Sequence, residues 1–172
     1  MKTIVSVLLL VACSSVGTIA LAGSVSPPMA PPATAPQSMD SHPINQMSDI
    51  KWGPAPPSLP PGSQLSVLAG DPSAKGFVSL RAKMPAGYTL PPHWHPTDEH
   101  VTVLSGTMMF GDGDVVNAKT ARIVKPGGYF IAGAQMHHYA IAKTATVIQV
   151  DLEGPFDITY VNAADDPRNK SK

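Results

Sequence analysis

From residue 64 onward, the chain alternates short apolar runs with glycine, proline and aspartate, a pattern typical of β-strands joined by tight turns. Asp112-Gly113 and Pro126-Gly127-Gly128 are the clearest turn signals. Neither a convincing helical period nor an internal repeat is present. The pattern predicts ten strands, at residues 64–68, 77–83, 88–93, 100–104, 107–110, 120–124, 129–132, 138–142, 145–152 and 156–161. Ten short strands without a helix indicate one all-β sandwich or barrel.

The core of this domain is expected to form from apolar residues at every second position of a strand, since such side chains share one face. Val101 and Val103 make one such pair, and Met108 and Phe110 make another. Together with Ile131 and Ile148, these are the residues predicted to line the core.

The segment at residues 1–22 is predicted to be a secretory signal peptide, because Lys2 precedes an apolar run too short to span a bilayer. Two processing sites compete. Cleavage after Ala22 fits the small-x-small rule, whereas the sequence ending at Cys13 resembles a lipobox that would place a lipid anchor there. Cleavage after Ala22 is favoured, because the segment before Cys13 is short for a lipoprotein signal and carries only one lysine. Either outcome predicts a periplasmic or secreted protein without a transmembrane span after processing.

The segment at residues 23–61 is rich in proline and serine and cannot bury a core. We predict an extended tether up to about Met47, followed by an ordered arm in which Trp52 packs on the domain, since an indole in a disordered tether would have no packing role. Residues 62–162 form the predicted domain and residues 163–172 a polar tail. A chain of 172 residues with 43% hydrophobic content suits one such domain.

Charge and cysteine content exclude several classes of partner and site. Lysine plus arginine and aspartate plus glutamate both total 12, so the chain offers no electrostatic footprint for nucleic acid or an anionic membrane. Cys13 is the single cysteine and cannot form an internal disulfide or a zinc cluster. A metal site in this chain must therefore be built from histidines and carboxylates.

Five of the six histidines fall between His93 and His138. On a strand, His93 and His95 lie on the same face, about 7 Å apart. Glu99 follows a Pro-Thr-Asp turn that can bring its carboxylate back beside the two imidazoles. His100 has the opposite strand parity and is predicted to face outward. Neutral imidazoles with one carboxylate suit a divalent ion of Fe, Mn, Ni, Co, Cu or Zn and leave positions for water or substrate.

These residues resemble the first motif of the cupin superfamily, in which glycine, His-x-His, glutamate and a second glycine follow at set spacings. Gly87, His93, His95, Glu99 and Gly106 meet every position of that motif.

The second cupin motif is matched in part. Gly127 and His138 keep its spacing, whereas Gly133, Gln135 and Ala142 replace its proline, glycine and asparagine. The resemblance implies a fourth metal ligand at His138, counted from Gly127. The adjacent His137 is the alternative, because neighbouring residues on a strand face opposite sides.

The resemblance covers about residues 64–161 and implies a small jelly-roll cupin β-barrel that binds one divalent metal ion through His93, His95, Glu99 and His138. The stretches LPPGSQLSVLAGDPS and GPFDITYVNAADDPR are similar to those of small exported bacterial single-domain cupins of undefined function.

Three functions are compatible with the resemblance. The first is an oxygenase- or isomerase-like enzyme acting on a small oxygen-chelating molecule. The second is a non-catalytic protein of the cell envelope that binds a small molecule or the metal, and the third is a barrel that the metal only stabilises. No nucleophile and base pair is visible, so catalytic residues stay unassigned, and Tyr129 and Tyr139 are expected to pack rather than react. Exposed sheet edges favour pairing with a second copy, so we hypothesise a homodimer.

The mature protein is expected in the periplasm or on the envelope surface. Cell fractionation followed by mass spectrometry of the N-terminus tests this prediction. A chain that begins at Gly23 indicates simple cleavage, and a lipidated Cys13 indicates the alternative. Recovery of the chain from the soluble cytoplasm with Met1 retained would refute the assignment.

Overall fold

The computed structural model describes residues 46–170. The predicted signal peptide, Cys13 and the predicted tether up to residue 45 lie outside these residues. Within them the chain forms eleven strands: β1 (Gly53–Pro54), β2 (Gln64–Ala69), β3 (Gly76–Met84), β4 (Thr89–Trp94), β5 (Glu99–Ser105), β6 (Met108–Asp112), β7 (Arg122–Val124), β8 (Tyr129–Ala132), β9 (His138–Ala142), β10 (Thr146–Gly154) and β11 (Thr159–Tyr160). Three single-turn 3₁₀ helices lie at Met47–Asp49, Ala163–Asp165 and Pro167–Asn169. No helix of this part of the chain is both long and apolar enough to cross a membrane.

The strands form two antiparallel sheets. One sheet has the order β1-β2-β3-β10-β5-β8, and the other has the order β11-β4-β9-β6-β7. Alternate residues of each strand face inward, as Val101 and Val103 do on β5 and Val150 and Leu152 do on β10. These side chains form one apolar core. The all-β jelly-roll fold predicted from the sequence is therefore confirmed.

All ten predicted strands are present, and β8 and β9 span the predicted residues. The strand predicted at 156–161 is the one that is most shortened, to Thr159–Tyr160. There the backbone N–H of Phe156 donates to the carbonyl of Pro72, and that of Ile158 donates to the Asp157 carboxylate, so neither joins a ladder. An additional strand, β1, pairs with β2 within the segment predicted as the arm.

Ile131 was predicted to be a core residue, and that prediction is wrong. Its side chain is 48% exposed on the outer face of β8, which is the edge strand of the larger sheet. Ile131 pairs with His100 of β5, and both point away from the core, whereas the neighbouring Phe130 packs against it. On β8, Phe130 therefore faces the core and Ile131 faces solvent. The sequence pattern alone does not decide which of these two neighbours faces inward.

The two glycines that frame the first motif occupy turns with positive φ. Gly87 has φ +81 and open space where a Cβ would lie. Gly106 has φ +79, and a Cβ there would come within 2.1 Å of the Ala145 carbonyl oxygen. Gly106 is therefore required both by its backbone conformation and by the close approach of the start of β10, at Ala145 and Thr146.

Gly106→Ala is expected to reduce the free energy of unfolding by more than about 3 kcal/mol, since strain at positive φ adds to a backbone clash. Gly87→Ala is the matched control. It should reduce the free energy of unfolding by only about 1–2 kcal/mol, the cost of the left-handed backbone conformation, because no atom lies where its Cβ would be. Chemical denaturation of the two variants measures the difference. Equal losses would contradict the role assigned to the close approach at Gly106.

Candidate metal centre

Pairing of β4 with β9 positions the first two imidazoles. His93 and His138 are direct partners across these strands, and both side chains are almost fully buried. His95 follows the end of β4, and Glu99 is the first residue of β5. The ring of His93 lies 4.2 Å from that of His138 and 4.9 Å from that of His95, measured between centroids.

Each of the three imidazoles makes the same hydrogen bond at Nδ1, to a backbone carbonyl. The Nδ1–O distances are 2.7 Å from His93 to Pro91, 2.7 Å from His95 to Asp157 and 2.9 Å from His138 to Met136. A carbonyl oxygen can only accept, so Nδ1 carries the proton and Nε2 carries the lone pair. All three rings are therefore held in the tautomer that can bind a metal through Nε2.

The lone-pair nitrogens face one another inside the barrel. The potential ligand atoms of His93, His95 and His138 all lie within 4.8 Å of one another. Nε2 of His95 and Nε2 of His138 are fully buried and have no hydrogen-bond partner. Glu99 Oε2 lies 3.7 Å from the first and 3.8 Å from the second, too far for a hydrogen bond to either. Three buried imidazoles and an adjacent carboxylate form a donor set that could hold one divalent transition-metal ion.

The other two histidines near this site point elsewhere. His137 is exposed, and its Nδ1 lies 2.6 Å from the carboxylate of Asp114. His100 lies on the outer face of the larger sheet, where its Nδ1 is 2.5 Å from the Tyr129 hydroxyl. The structure thus brings together His93, His95, Glu99 and His138 and leaves out both neighbours, in agreement with strand alternation.

Burial favours the neutral form of His93 and of His138. Desolvation lowers the pKa of His93 well below its usual range, and the nearby His138 and His95 rings lower it further. Desolvation also lowers the pKa of His138, although the Glu99 carboxylate opposes that change. Neutral rings at physiological pH are what metal binding requires.

The space beside the site is small and mostly apolar. A cavity of about 60 Å³ lies against His95 and Glu99, and one of about 40 Å³ lies against His93, Glu99 and His138. The Phe156 ring lies 5.3 Å from the His95 ring and the Phe110 ring lies 5.5 Å from the His138 ring, between centroids. Such a space admits a few water molecules or a small ligand beside an ion.

Three neighbours of the site were not singled out from the sequence. Tyr160 has its ring centroid 6.1 Å from that of His93, Phe156 stacks near His95, and Leu59 lines the 60 Å³ cavity from the proline-rich segment. The sequence carries a signal for Leu59 alone, because a large apolar residue among prolines indicates a packing contact. Long-range packing places the other two.

Comparison with known proteins identifies a family. Residues 29–159 match the family described as "Domain of unknown function (DUF4437)". No curated protein matches the chain significantly.

Several solved structures have a similar fold. The chain is similar to the polyketide cyclase RemF from Streptomyces resistomycificus, with a TM-score of 0.59, 19% identity and coverage of 73% of this chain and 89% of that one. It is also similar to the DMSP lyase DddQ from Ruegeria pomeroyi DSS-3, with a TM-score of 0.52, 17% identity and coverage of 66% of this chain and 62% of that one. An RmlC-like cupin from Shewanella frigidimarina NCIMB 400 has a TM-score of 0.51 and 12% identity, with coverage of 66% of this chain and 91% of that one. At these identities the likeness establishes the fold, and it confirms the predicted cupin barrel.

The metal-free protein is expected to lose stability as the pH falls below about 6.5, the ordinary histidine pKa. The folded chain holds His93 and His138 with lowered pKa values, whereas the unfolded chain protonates them freely. The free energy of unfolding therefore rises with pH through this window and is lost on acidification. Urea denaturation between pH 5 and 7.5 measures the slope, which His93→Gln should make shallower. An unchanged slope in that variant would contradict the assignment.

Proposed function

We propose that this chain, which belongs to the DUF4437 family, binds one divalent transition-metal ion through His93, His95, Glu99 and His138. The observation that carries the proposal is the pair of buried Nε2 atoms, on His95 and His138, that have no hydrogen-bond partner. A buried acceptor left unsatisfied costs on the order of 1–3 kcal/mol. A bound ion would satisfy both nitrogens at once and neutralise the charge of Glu99.

The second part of the proposal is that the site is that of a mononuclear-metal enzyme, oxygenase- or isomerase-like, acting on a small oxygen-chelating molecule. A divalent ion held by three imidazoles and one carboxylate would supply Lewis-acid polarisation of an oxygen ligand at an open position. The apolar walls, including Leu90, Ile148 and Phe156, would exclude water and orient the ligand. Similarity to proteins named as a polyketide cyclase and a DMSP lyase supports an enzyme.

A non-catalytic metal- or small-molecule-binding protein is the alternative. One observation favours it: few polar side chains line the two cavities besides the proposed ligands. Of these, the Tyr88 hydroxyl already donates to the Pro60 carbonyl and accepts from Ser63. Elemental analysis of protein purified without a metal-binding tag distinguishes the enzyme from the non-catalytic protein. Iron or manganese with an open position favours catalysis, whereas stoichiometric zinc without one favours a structural ion.

Export and self-association complete the proposal. We place the mature protein in the periplasm or outside the cell on the pattern of residues 1–22. A homodimer is consistent with the exposed Tyr129 and Ile131 on edge strand β8. A sedimentation run that shows a monomer at micromolar concentration would exclude the dimer.

Replacement of the two adjacent histidines by alanine tests the donor set directly. His138→Ala is expected to weaken metal binding by at least about tenfold, roughly 1.4 kcal/mol. His137→Ala is the matched control and should change it little, since His137 is exposed and lies against Asp114. Titration of the metal-free variants with Co²⁺ or Zn²⁺ provides the comparison, and circular dichroism checks the fold. Loss of affinity in His137→Ala instead would overturn the proposed set.

A further inference from the structure

The loop between β1 and β2, residues 55–63, forms one wall of the candidate site. Its Leu59 and Ser63 line the 60 Å³ cavity that also contacts His95 and Glu99. The same two residues also line an open groove of about 470 Å³, which Pro167 and Lys170 border as well. Leu59 and Ser63 therefore border both the outer groove and the cavity beside the proposed ligands.

Two tyrosines of the barrel fasten this loop. The Tyr160 hydroxyl donates to the Ser58 carbonyl at 2.8 Å, and the Tyr88 hydroxyl donates to the Pro60 carbonyl at 2.9 Å. Ser63 donates in turn to the Tyr88 hydroxyl at 3.0 Å. Both tyrosines lie beside the site, since Tyr88 lines the 60 Å³ cavity and the Tyr160 ring is 6.1 Å from that of His93. The position of the loop is therefore linked to residues next to the proposed ligands.

The loop backbone has few means of joining a sheet. Residues 56, 57, 60 and 61 are prolines, which have no N–H to donate. The N–H of Leu59 donates to the carbonyl of Pro56, within the loop itself, at 2.9 Å. Gly62, where the loop meets β2, has φ +107, a conformation that glycine adopts without strain. Segments held in this way open at a lower free energy than the strands they cover.

The second cavity beside the site is lined by strands and not by a loop. The 40 Å³ cavity against His93, Glu99 and His138 is lined by Phe110, Phe130 and other residues that all lie on strands of the barrel. Movement there would disrupt strands β6 and β8, whereas movement of the β1–β2 loop would break the two tyrosine bonds and withdraw Leu59.

We propose that the β1–β2 loop is the gate of the metal site and that Leu59 limits the size of the ligand that reaches the ion. This inference rests on the proposed function, because it needs an ion held by His93, His95, Glu99 and His138. Leu59 is then a specificity-determining residue that lines the cavity and is not one of the proposed ligands.

Release of Co²⁺ from the loaded full chain into excess EDTA, followed by visible absorbance, measures the gate. Leu59→Ala is expected to release the ion at least about tenfold faster while its equilibrium affinity for Co²⁺ stays within about twofold, since the leucine is no ligand. Tyr160→Phe, which removes only the bond to Ser58, should also accelerate release. Leu68→Ala is the matched control: it is a half-buried leucine of β2 outside the cavity lining, and it should release the ion at the unchanged rate.

Titration of the Co²⁺-loaded chain with acetate and with benzoate, read from the same absorbance, measures size selection. Leu59→Ala is expected to raise the affinity for benzoate relative to acetate by at least about tenfold, and Leu68→Ala should not. Equal release rates and equal selectivity in Leu59→Ala and the unaltered chain would overturn the gate while leaving the metal site intact. Failure of the unaltered chain to bind Co²⁺ would refute the proposed function, and the gate with it.

Discussion

Three hydrogen bonds from imidazole Nδ1 atoms to backbone carbonyls determine what this site can do. They fix the tautomer of His93, His95 and His138, and they turn three Nε2 lone pairs toward the inside of the barrel. Without them the same rings could flip and satisfy their nitrogens elsewhere. The carbonyls come from β4, from the turn before β9 and from the segment before β11, so the whole barrel must close before the donor set exists.

The fold supports this arrangement by fixing the positions of the four proposed ligands and by excluding water from their imidazole rings. Pairing of β4 with β9 sets His93 opposite His138, and the close turn at Gly106 follows the strand that begins with Glu99. The apolar core desolvates the rings and lowers the pKa of His93 and His138, which keeps both lone pairs available. The same desolvation makes an empty donor set costly, so the stability of the barrel and its affinity for an ion are coupled.

Strand positions could be predicted because they depend on local alternation, whereas the choice of His138 over His137 came from its spacing to Gly127 in the motif. The two-residue period places His93 with His95 and separates His138 from His137, and turn residues mark most strand ends. Features set by long-range contacts could not be predicted in this way. The outward face of Ile131 depends on the pairing of β8, the shortened last strand depends on the Pro72 carbonyl, and the approach of Leu59 to the site depends on tyrosines distant in sequence.

The most direct test of this account is the proton NMR spectrum of the Co²⁺-loaded protein. Ligation through Nε2 leaves each Nδ1 proton close to the paramagnetic ion and hydrogen-bonded to a carbonyl. The account predicts three strongly shifted N–H resonances that disappear in D₂O, of which one is lost in His138→Ala and none in His137→Ala. Two or fewer such resonances in the unaltered protein would contradict the three-imidazole donor set.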